Sequence, residues 1–124
     1  VLAERVARGV SISDLVSELP VRVMRADRLK DVQPDDARQL VEALARSAEL
    51  RSSFDESLAE PEAIDTTDGT RLMTKGGDVI HFRRSGNAPE LRCYVETAST
   101  QATQALLSAM IDKLTTYLNA RGAL

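Results

Sequence analysis

Four short β-prone runs joined by tight turns constrain the fold of this chain more than any other feature of its sequence. The turns carry Asp68-Gly69, Gly76-Gly77-Asp78 and a loop at residues 85–90, and such glycine-containing turns are typical of β-hairpins. Parallel strands need a crossover of about a dozen residues or more, for which these turns leave no room. The sequence therefore predicts an antiparallel sheet from four runs, residues 64–66, 71–75, 79–83 and 91–96.

Two helices, each with one apolar side, flank these runs. Pro34, followed by Asp35 and Asp36, favours a helix start, and Ser99 favours the N-cap of the second helix. The apolar residues that follow recur at the three- and four-residue spacing of a buried helix face. They are Ala37, Leu40, Val41, Leu44 and Ala48 in the first helix and Ala102, Leu106, Met110, Leu114, Tyr117 and Leu118 in the second.

A further strand is expected from residue 21, because apolar and polar residues alternate from there. The order strand, helix, group of antiparallel strands, helix predicts an α+β domain over residues 21–124. We expect an antiparallel sheet of about four strands with both helices packed on one face. Residues 1–20 favour short linker helices, the tail of a preceding domain, and the polar residues 52–62 favour a loose loop.

Charge and composition disfavour several classes of function. A net charge of −3 and an aromatic fraction of 3% leave neither a basic surface nor a stacking platform for nucleic acid. Cys93 is the only cysteine, which excludes an internal disulfide or a cysteine-rich zinc site and favours a cytoplasmic location. No apolar run reaches the roughly 20 residues that span a membrane. We therefore expect neither nucleic acid nor a membrane as a partner.

The loop between the last two runs concentrates groups that bind anions. Arg83 and Arg84 each offer a guanidinium, and Ser85 and Asn87 add neutral donors close by. Gly86 permits backbone conformations closed to other residues and would let amide groups converge on an oxyanion. This set suits a phosphate. The same residue types are common in plain surface turns, so their chemistry alone leaves both interpretations open.

The sequence around this loop resembles the last domain of the phosphohexomutases, the α-D-phosphohexomutase family. The fourth domain of those chains carries an Arg-x-Ser-Gly-(Thr/Asn)-x-Pro loop and then a strand of the Arg-x-Tyr-x-Glu type. The resemblance covers about residues 21–120, and its two motifs are residues 83–89 and 92–96. Ala88 stands where the Gly-Thr-Glu-Pro version of the loop has Glu, which makes the chain more similar to the phosphomannomutase/phosphoglucomutase type than to the phosphoglucosamine mutases.

The resemblance implies a TATA-box-binding-protein-like fold and a role for the loop. In the family, residues of this loop hold the substrate phosphate that does not react, and their positions match Arg83, Ser85, Gly86 and Asn87 of this chain. Arg84 falls where many relatives have Pro or Ala, and its role stays open. Arg92, on the following strand, is a second candidate accessory residue.

The resemblance also implies an activity for a longer chain. In the family, a phosphoserine and a hexose 1- or 6-phosphate exchange a phosphoryl group through a bisphosphate intermediate, and Mg²⁺ neutralises the developing charge. The phosphoserine and metal loops have no counterpart in these 124 residues. We therefore expect no catalytic residue, metal ligand or cofactor here, and inactivity when the chain is alone. The expected partners are a phosphosugar and three other domains; the alternative is a stand-alone phosphate- or anion-binding module with no enzymatic role.

Other reactive residues are expected to have structural roles. His81 alternates on its run with Val79 and Arg83, and nothing near it in sequence completes a triad or a metal site. Cys93 shares the apolar side of its run and is expected to be buried and inert. Asp65 and Asp68 lack the spacing of a calcium loop and are expected to shape a turn.

Overall fold

The structure is a computed structural model that describes residues 22–122, so the linker helices expected in residues 1–20 lie outside the described residues. A 3₁₀ turn, Glu56–Leu58, lies between the second helix and the second strand. The other elements, in chain order, are β1 (Val23–Lys30), α1 (Pro34–Arg46), α2 (Ala48–Phe54), β2 (Ala63–Asp65), β3 (Thr70–Met73), β4 (Val79–Arg84), β5 (Glu90–Thr97) and α3 (Thr100–Ala120).

The sheet is antiparallel throughout, as the short turns predicted, and its strand order is β1-β5-β4-β3-β2. It has five strands rather than about four, because each predicted run and the strand ahead of the first helix all take part. The shortest strand is β2, which has three residues, forms one edge of the sheet and pairs with β3. The strand β1 forms the other edge and pairs with β5 over eight residue pairs.

Both long helices pack on one face of the sheet, as expected. On β5, the buried side chains Leu91, Cys93 and Val95 alternate with half-exposed ones, so one face of the strand lies in the core. Helix α1 lies against β3 and β4, and α3 lies against β1 and β5. Among the described helices, none combines the length and the apolar character that crossing a membrane requires. The face opposite the helices, the open face, carries His81 and Arg83 on β4 and Arg92, Tyr94 and Glu96 on β5.

The buried stripe of α3 differs from the predicted one near its start. Thr103 and Leu107 are buried, whereas Ala102 is exposed and Leu106 is only half-buried. The Thr103 hydroxyl donates to the carbonyl oxygen of Val23 at 2.9 Å and also lies 2.8 Å from the Thr97 hydroxyl. A threonine whose hydroxyl is satisfied in this way can enter a core, but a hydrophobic pattern does not reveal it. Ser99 caps the helix as predicted, accepting from the Ala102 amide at 3.1 Å.

The predicted loose loop at residues 52–62 is wrong over its first part. Helix α1 ends at Arg46, and Ser47 then caps α2 by accepting from the Leu50 amide at 3.1 Å. Helix α2 and the 3₁₀ turn place Phe54 and Leu58 in the core. The Phe54 ring meets the Phe82 ring edge to face, with the ring centres 6.0 Å apart. Two apolar anchors among polar residues order this segment, although its composition resembles that of a loop.

Cys93 is buried, as predicted. Its burial makes the free energy of unfolding depend on pH in the alkaline range. Burial, and secondarily the charge of Asp27, raises the pKa of the Cys93 thiol from 9.0 to about 12. Well below pH 9.0 the thiol is protonated in both the folded and the unfolded chain. Between pH 9.0 and about 12 only the unfolded chain loses the proton, so stability falls as the pH rises through this window.

We expect the free energy of unfolding to fall through this thiol by about 1.4 kcal/mol per pH unit above pH 9.0. The measurement is urea unfolding of the parent chain and of Cys93→Ala at several values of pH on both sides of that value. Cys93→Ala lowers the stability at every pH, because it leaves a cavity, but it removes this slope. Parallel pH dependences of the two proteins would contradict the prediction.

Candidate functional site

The loop at residues 85–89 closes the hairpin of β4 and β5. The Ser85 amide donates to the carbonyl oxygen of Glu90 at 3.0 Å, and the Glu90 amide donates to that of Ala88 at 2.8 Å. Inside the loop, the Asn87 amide donates to the Ser85 hydroxyl oxygen at 3.3 Å. The loop also joins the segment after β1, because the Val32 amide donates to the carbonyl oxygen of Pro89 at 2.9 Å. Hydrogen bonds at both ends therefore hold the loop in one shape.

The backbone of Gly86 differs from the prediction. Gly86 has no positive φ, and a Cβ added to it would meet no atom within 4 Å. The loop therefore does not require glycine there for its own conformation. Gly86 is exposed, and its lack of a side chain leaves the backbone open to a ligand.

Arg83 and Arg84 follow each other on β4, so their side chains leave opposite faces of the sheet. Arg83 lies across from Arg92 on the open face, and Arg84 lies across from the buried Leu91 on the helix side. The Arg83 side chain is 40% exposed, and its Nε lies 3.5 Å from Oδ2 of Asp68. On the open face, the guanidinium of Arg83 is therefore already oriented by a carboxylate from another turn, that of Asp68.

The turn between β2 and β3 supplies that carboxylate. The Thr67 amide donates to Oδ1 of Asp65 at 2.9 Å, which confirms that Asp65 shapes the turn. Hydrogen bonds from the Thr67 backbone and then its side chain lower the pKa of Asp65. His81 Nε2 donates to the backbone oxygen of Asp68, so His81 supports the same turn. Asp68 therefore does more than shape a turn, because its side chain reaches a predicted phosphate ligand.

Arg92 lies beside the end of the loop. Its Nε is 3.6 Å from Oε2 of Glu90, and the other carboxylate oxygen of Glu90 is 3.7 Å from Nε of Arg28. Tyr94 and then Glu90 raise the pKa of Arg92 above its ordinary value, which favours its charged form. The Glu90 side chain is only 14% exposed between the two guanidiniums. Arg92 thus contacts the residue that closes the loop rather than the loop's own donors.

A cavity of about 750 Å³ opens beside the loop on the helix side of the sheet. Its walls are α1, residues 66–70 and the end of β4, and we call it the arginine cavity after four of the residues that line it, Arg38, Arg46, Arg83 and Arg84. Gly86 also lines it, whereas Ser85 and Asn87 do not. Sequence reasoning missed the two arginines of α1, whose only signal was a spacing of eight residues on the exposed side of that helix.

The metal-ligating side chains of the described residues do not cluster. Across residues 22–122, no three His, Cys, Asp or Glu side chains lie close enough together to hold a metal ion. Asp65 and Asp68 make their contacts to Thr67 and Arg83 instead.

Comparison with known proteins supports the resemblance seen in the sequence. A family model described as "Phosphoglucomutase/phosphomannomutase, C-terminal domain" matches residues 18–113. A phosphomannomutase of Salmonella muenchen is 31% identical over 113 residues, which are 90% of this chain and 24% of the relative. A phosphomannomutase of Sinorhizobium fredii (strain NBRC 101917 / NGR234) is 35% identical over 97 residues, 78% of this chain and 20% of the relative. The chain thus spans between a fifth and a quarter of the length of these curated relatives. It belongs to the phosphoglucomutase/phosphomannomutase family and corresponds to the C-terminal domain of that family.

Proposed function

We propose that this domain binds the non-reacting phosphate of a hexose phosphate, within an enzyme that interconverts hexose 1-phosphate and 6-phosphate through a bisphosphate intermediate. The hexose is mannose, glucose or both. The observation that carries the proposal is the ion pair of Arg83 with Asp68 beside a hydrogen-bonded loop that holds Ser85, Gly86 and Asn87. The relatives named above are phosphomannomutases, which supports the same activity for a longer chain.

The contacts of Arg83 leave its phosphate-binding edge available. Asp68 engages Nε, and within residues 22–122 the two terminal nitrogens of Arg83 make no hydrogen bond that would compete with a phosphate. The terminal nitrogens of a guanidinium can donate in parallel to two oxygens of one phosphate. A carboxylate that holds Nε therefore orients the group without blocking it.

The loop adds donors of a second kind. Ser85 Oγ accepts from the Asn87 amide, so its own hydroxyl proton is directed elsewhere and can be donated to a phosphate oxygen. The side-chain amide of the exposed Asn87 offers two further protons. Each of these groups can donate to a phosphate oxygen, whichever end of the sugar carries that phosphate. A site of this kind can hold a phosphate attached to either end of a hexose, as a reversible mutase requires.

We place the chemical step outside this chain. The described residues hold no cluster of three His, Cys, Asp or Glu side chains, and we assign the metal and the phosphoserine to the three other domains of a longer cytoplasmic enzyme. The 124 residues alone should then bind a phosphosugar without turning it over. An assay with mannose and glucose phosphates, run on this chain and on the longer reading frame, tests this. If the longer frame carries no serine and metal loops, the domain is a stand-alone anion-binding module.

Arg83→Ala should weaken the binding of inorganic phosphate by about 1.5–3 kcal/mol, the range for a hydrogen bond to a charged group. The measurement is a titration followed by NMR of the ¹⁵N-labelled chain, in which the amides of Ser85, Gly86 and Asn87 should shift. Arg25→Ala is a matched control, because Arg25 is exposed on the edge strand β1 and, among the residues that the structure describes, donates only to the neighbouring Met24 carbonyl. Loop amides that stay still while others respond would place the site elsewhere.

A further inference from the structure

The arginine cavity has the size and the walls of a small-molecule site. Its volume of about 750 Å³ lies within the roughly 300–1,000 Å³ of typical ligand pockets. Val41 and Ala45 of α1 give it an apolar wall, and Thr66 and Thr67 give it exposed hydroxyl-bearing residues. The cavity can therefore contact both a carbon skeleton and polar substituents.

The shape of the cavity is fixed by contacts between its walls. The Thr70 hydroxyl donates to the carbonyl oxygen of Val41 at 2.6 Å, and this bond is buried between β3 and α1. Gly69 packs its backbone directly against β4 beside Arg83. The turn, the helix and the strand end thus form a preorganised concave surface.

The cavity is positively charged although the chain as a whole is negative. Four arginines line it and pair with three carboxylates, those of Asp35, Glu42 and Asp68, which leaves a surplus of one positive charge in a chain of net charge −3. Glu42 is shared by two of the arginines, since it lies 3.6 Å from Arg38 and 3.1 Å from Arg46. Arg84 forms no ion pair within the part of the chain that the structure describes, residues 22–122. The surplus charge is therefore available to a ligand.

We propose that the arginine cavity is a second anion-binding site, which takes a small organic molecule bearing a phosphate or carboxylate group. Arg84 supplies the main counter-charge, and Arg38 and Arg46 complete it from α1. A planar guanidinium pairs with both kinds of oxyanion through two parallel hydrogen bonds. The site differs from the loop site, although Arg83 and Gly86 border both, because Arg84 leaves the helix side of the sheet and Ser85 and Asn87 do not line the cavity. It stands whether or not the loop binds phosphate.

The test is an NMR titration of the ¹⁵N-labelled chain with inorganic phosphate and, separately, with succinate, each against sodium chloride of equal ionic strength. The amides of Ala45, Thr67 and Gly69 report on the cavity, and the amide of Asn87 reports on the loop. At least one of the two anions should shift the cavity amides and saturate them, with a midpoint different from that of Asn87. The better of the two anions identifies the preferred oxyanion.

Arg84→Ala should weaken binding at the cavity amides about tenfold, the factor that corresponds to one hydrogen bond to a charged group. It should leave the midpoint of Asn87 within about twofold of the parent value. Arg84→Lys should recover part of the affinity, because it keeps the charge without the planar fork. Arg25→Ala removes the same charge at a distant edge strand and should change neither midpoint.

Three results would overturn the proposal. The first is a set of cavity amides that neither phosphate nor succinate moves. The second is an equal loss of affinity in Arg84→Ala and Arg25→Ala, because that would show a response to net charge alone. The third is a single midpoint for cavity and loop that Arg84→Ala shifts for both, which would show one site rather than two.

Discussion

Replacing Arg51 with Ala is expected to lower the free energy of unfolding by about 3–5 kcal/mol, because it strips partners from two buried and two partly buried carbonyl groups. Arg51 is only 6% exposed. Its Nε donates to the carbonyl oxygen of Leu58 at 2.8 Å, and Nη2 donates to that of Ala59 at 3.1 Å. Nη1 donates to the carbonyl oxygens of Leu44 and Ala45 at 3.0 and 3.1 Å. One guanidinium therefore joins α1 to the segment after α2.

Two of these carbonyl groups belong to the last turn of α1. The last carbonyls of a helix have no partner within the helix, and the partial negative charge there favours a cation. Arg51 satisfies both needs at a place that water does not reach. Its removal leaves the C-terminal end of α1 without this cap, and α1 forms a wall of the arginine cavity.

Urea unfolding of Arg51→Ala, Arg51→Met and Arg51→Lys separates the contribution of the hydrogen bonds from those of apolar packing and charge. Arg51→Met keeps most of the apolar packing but no donor, so it should lose nearly as much stability as Arg51→Ala. Arg51→Lys keeps the charge but not the planar fork and should recover only part of the loss. Arg46→Ala is the matched control, because Arg46 is 76% exposed and its one ion pair within residues 22–122 is with Glu42, and it should change stability by less than about 1 kcal/mol. An Arg51→Met chain as stable as the parent would show that the hydrogen bonds of Arg51 do not stabilise the fold.

Arg51 also shows which parts of this fold a sequence can predict. Strands such as β5 could be predicted because alternation of apolar and polar residues is a local signal that the pleat imposes. A charged residue is normally expected to be exposed, since burying a charge without partners is unfavourable. The partners of Arg51 are backbone carbonyls, which every sequence has and no pattern reveals. The residues that follow it, 52–62, were therefore predicted as a loose loop.

Of the candidate site, too, only one part could be predicted from the sequence. The loop donors Ser85 and Asn87 are close in sequence, so their types and spacing alone could indicate anion binding. Asp68 is far from Arg83 along the chain, and only the pairing of β3 with β4 brings the two together. The arginine cavity needs a further step, because α1 must first lie across β3 and β4. Sites built from several elements leave no single motif, whereas a hairpin loop does.

Gly69→Ala is expected to destabilise the chain by about 3 kcal/mol and to weaken phosphate binding in the same variant. Gly69 has a φ of 78°, where a side chain adds roughly 1–2 kcal/mol of strain. A Cβ there would also overlap the carbonyl oxygen of Phe82 and lie 3.1 Å from Cα of Arg83. These are backbone atoms of a central strand, so the turn must move rather than the strand. Movement of the turn takes Asp68 away from Arg83.

Gly77→Ala is the control that isolates the contact from the backbone strain. Gly77 has a φ of 94°, but an added Cβ would meet no atom within 4 Å. It should therefore lose only about 1–2 kcal/mol of stability and leave phosphate binding at the loop unchanged. Urea unfolding and the phosphate titration, both run on the two variants, give the comparison. Equal stability losses would show that the contact of Gly69 with β4 contributes nothing, and unchanged phosphate affinity in Gly69→Ala would show that the turn does not orient Arg83.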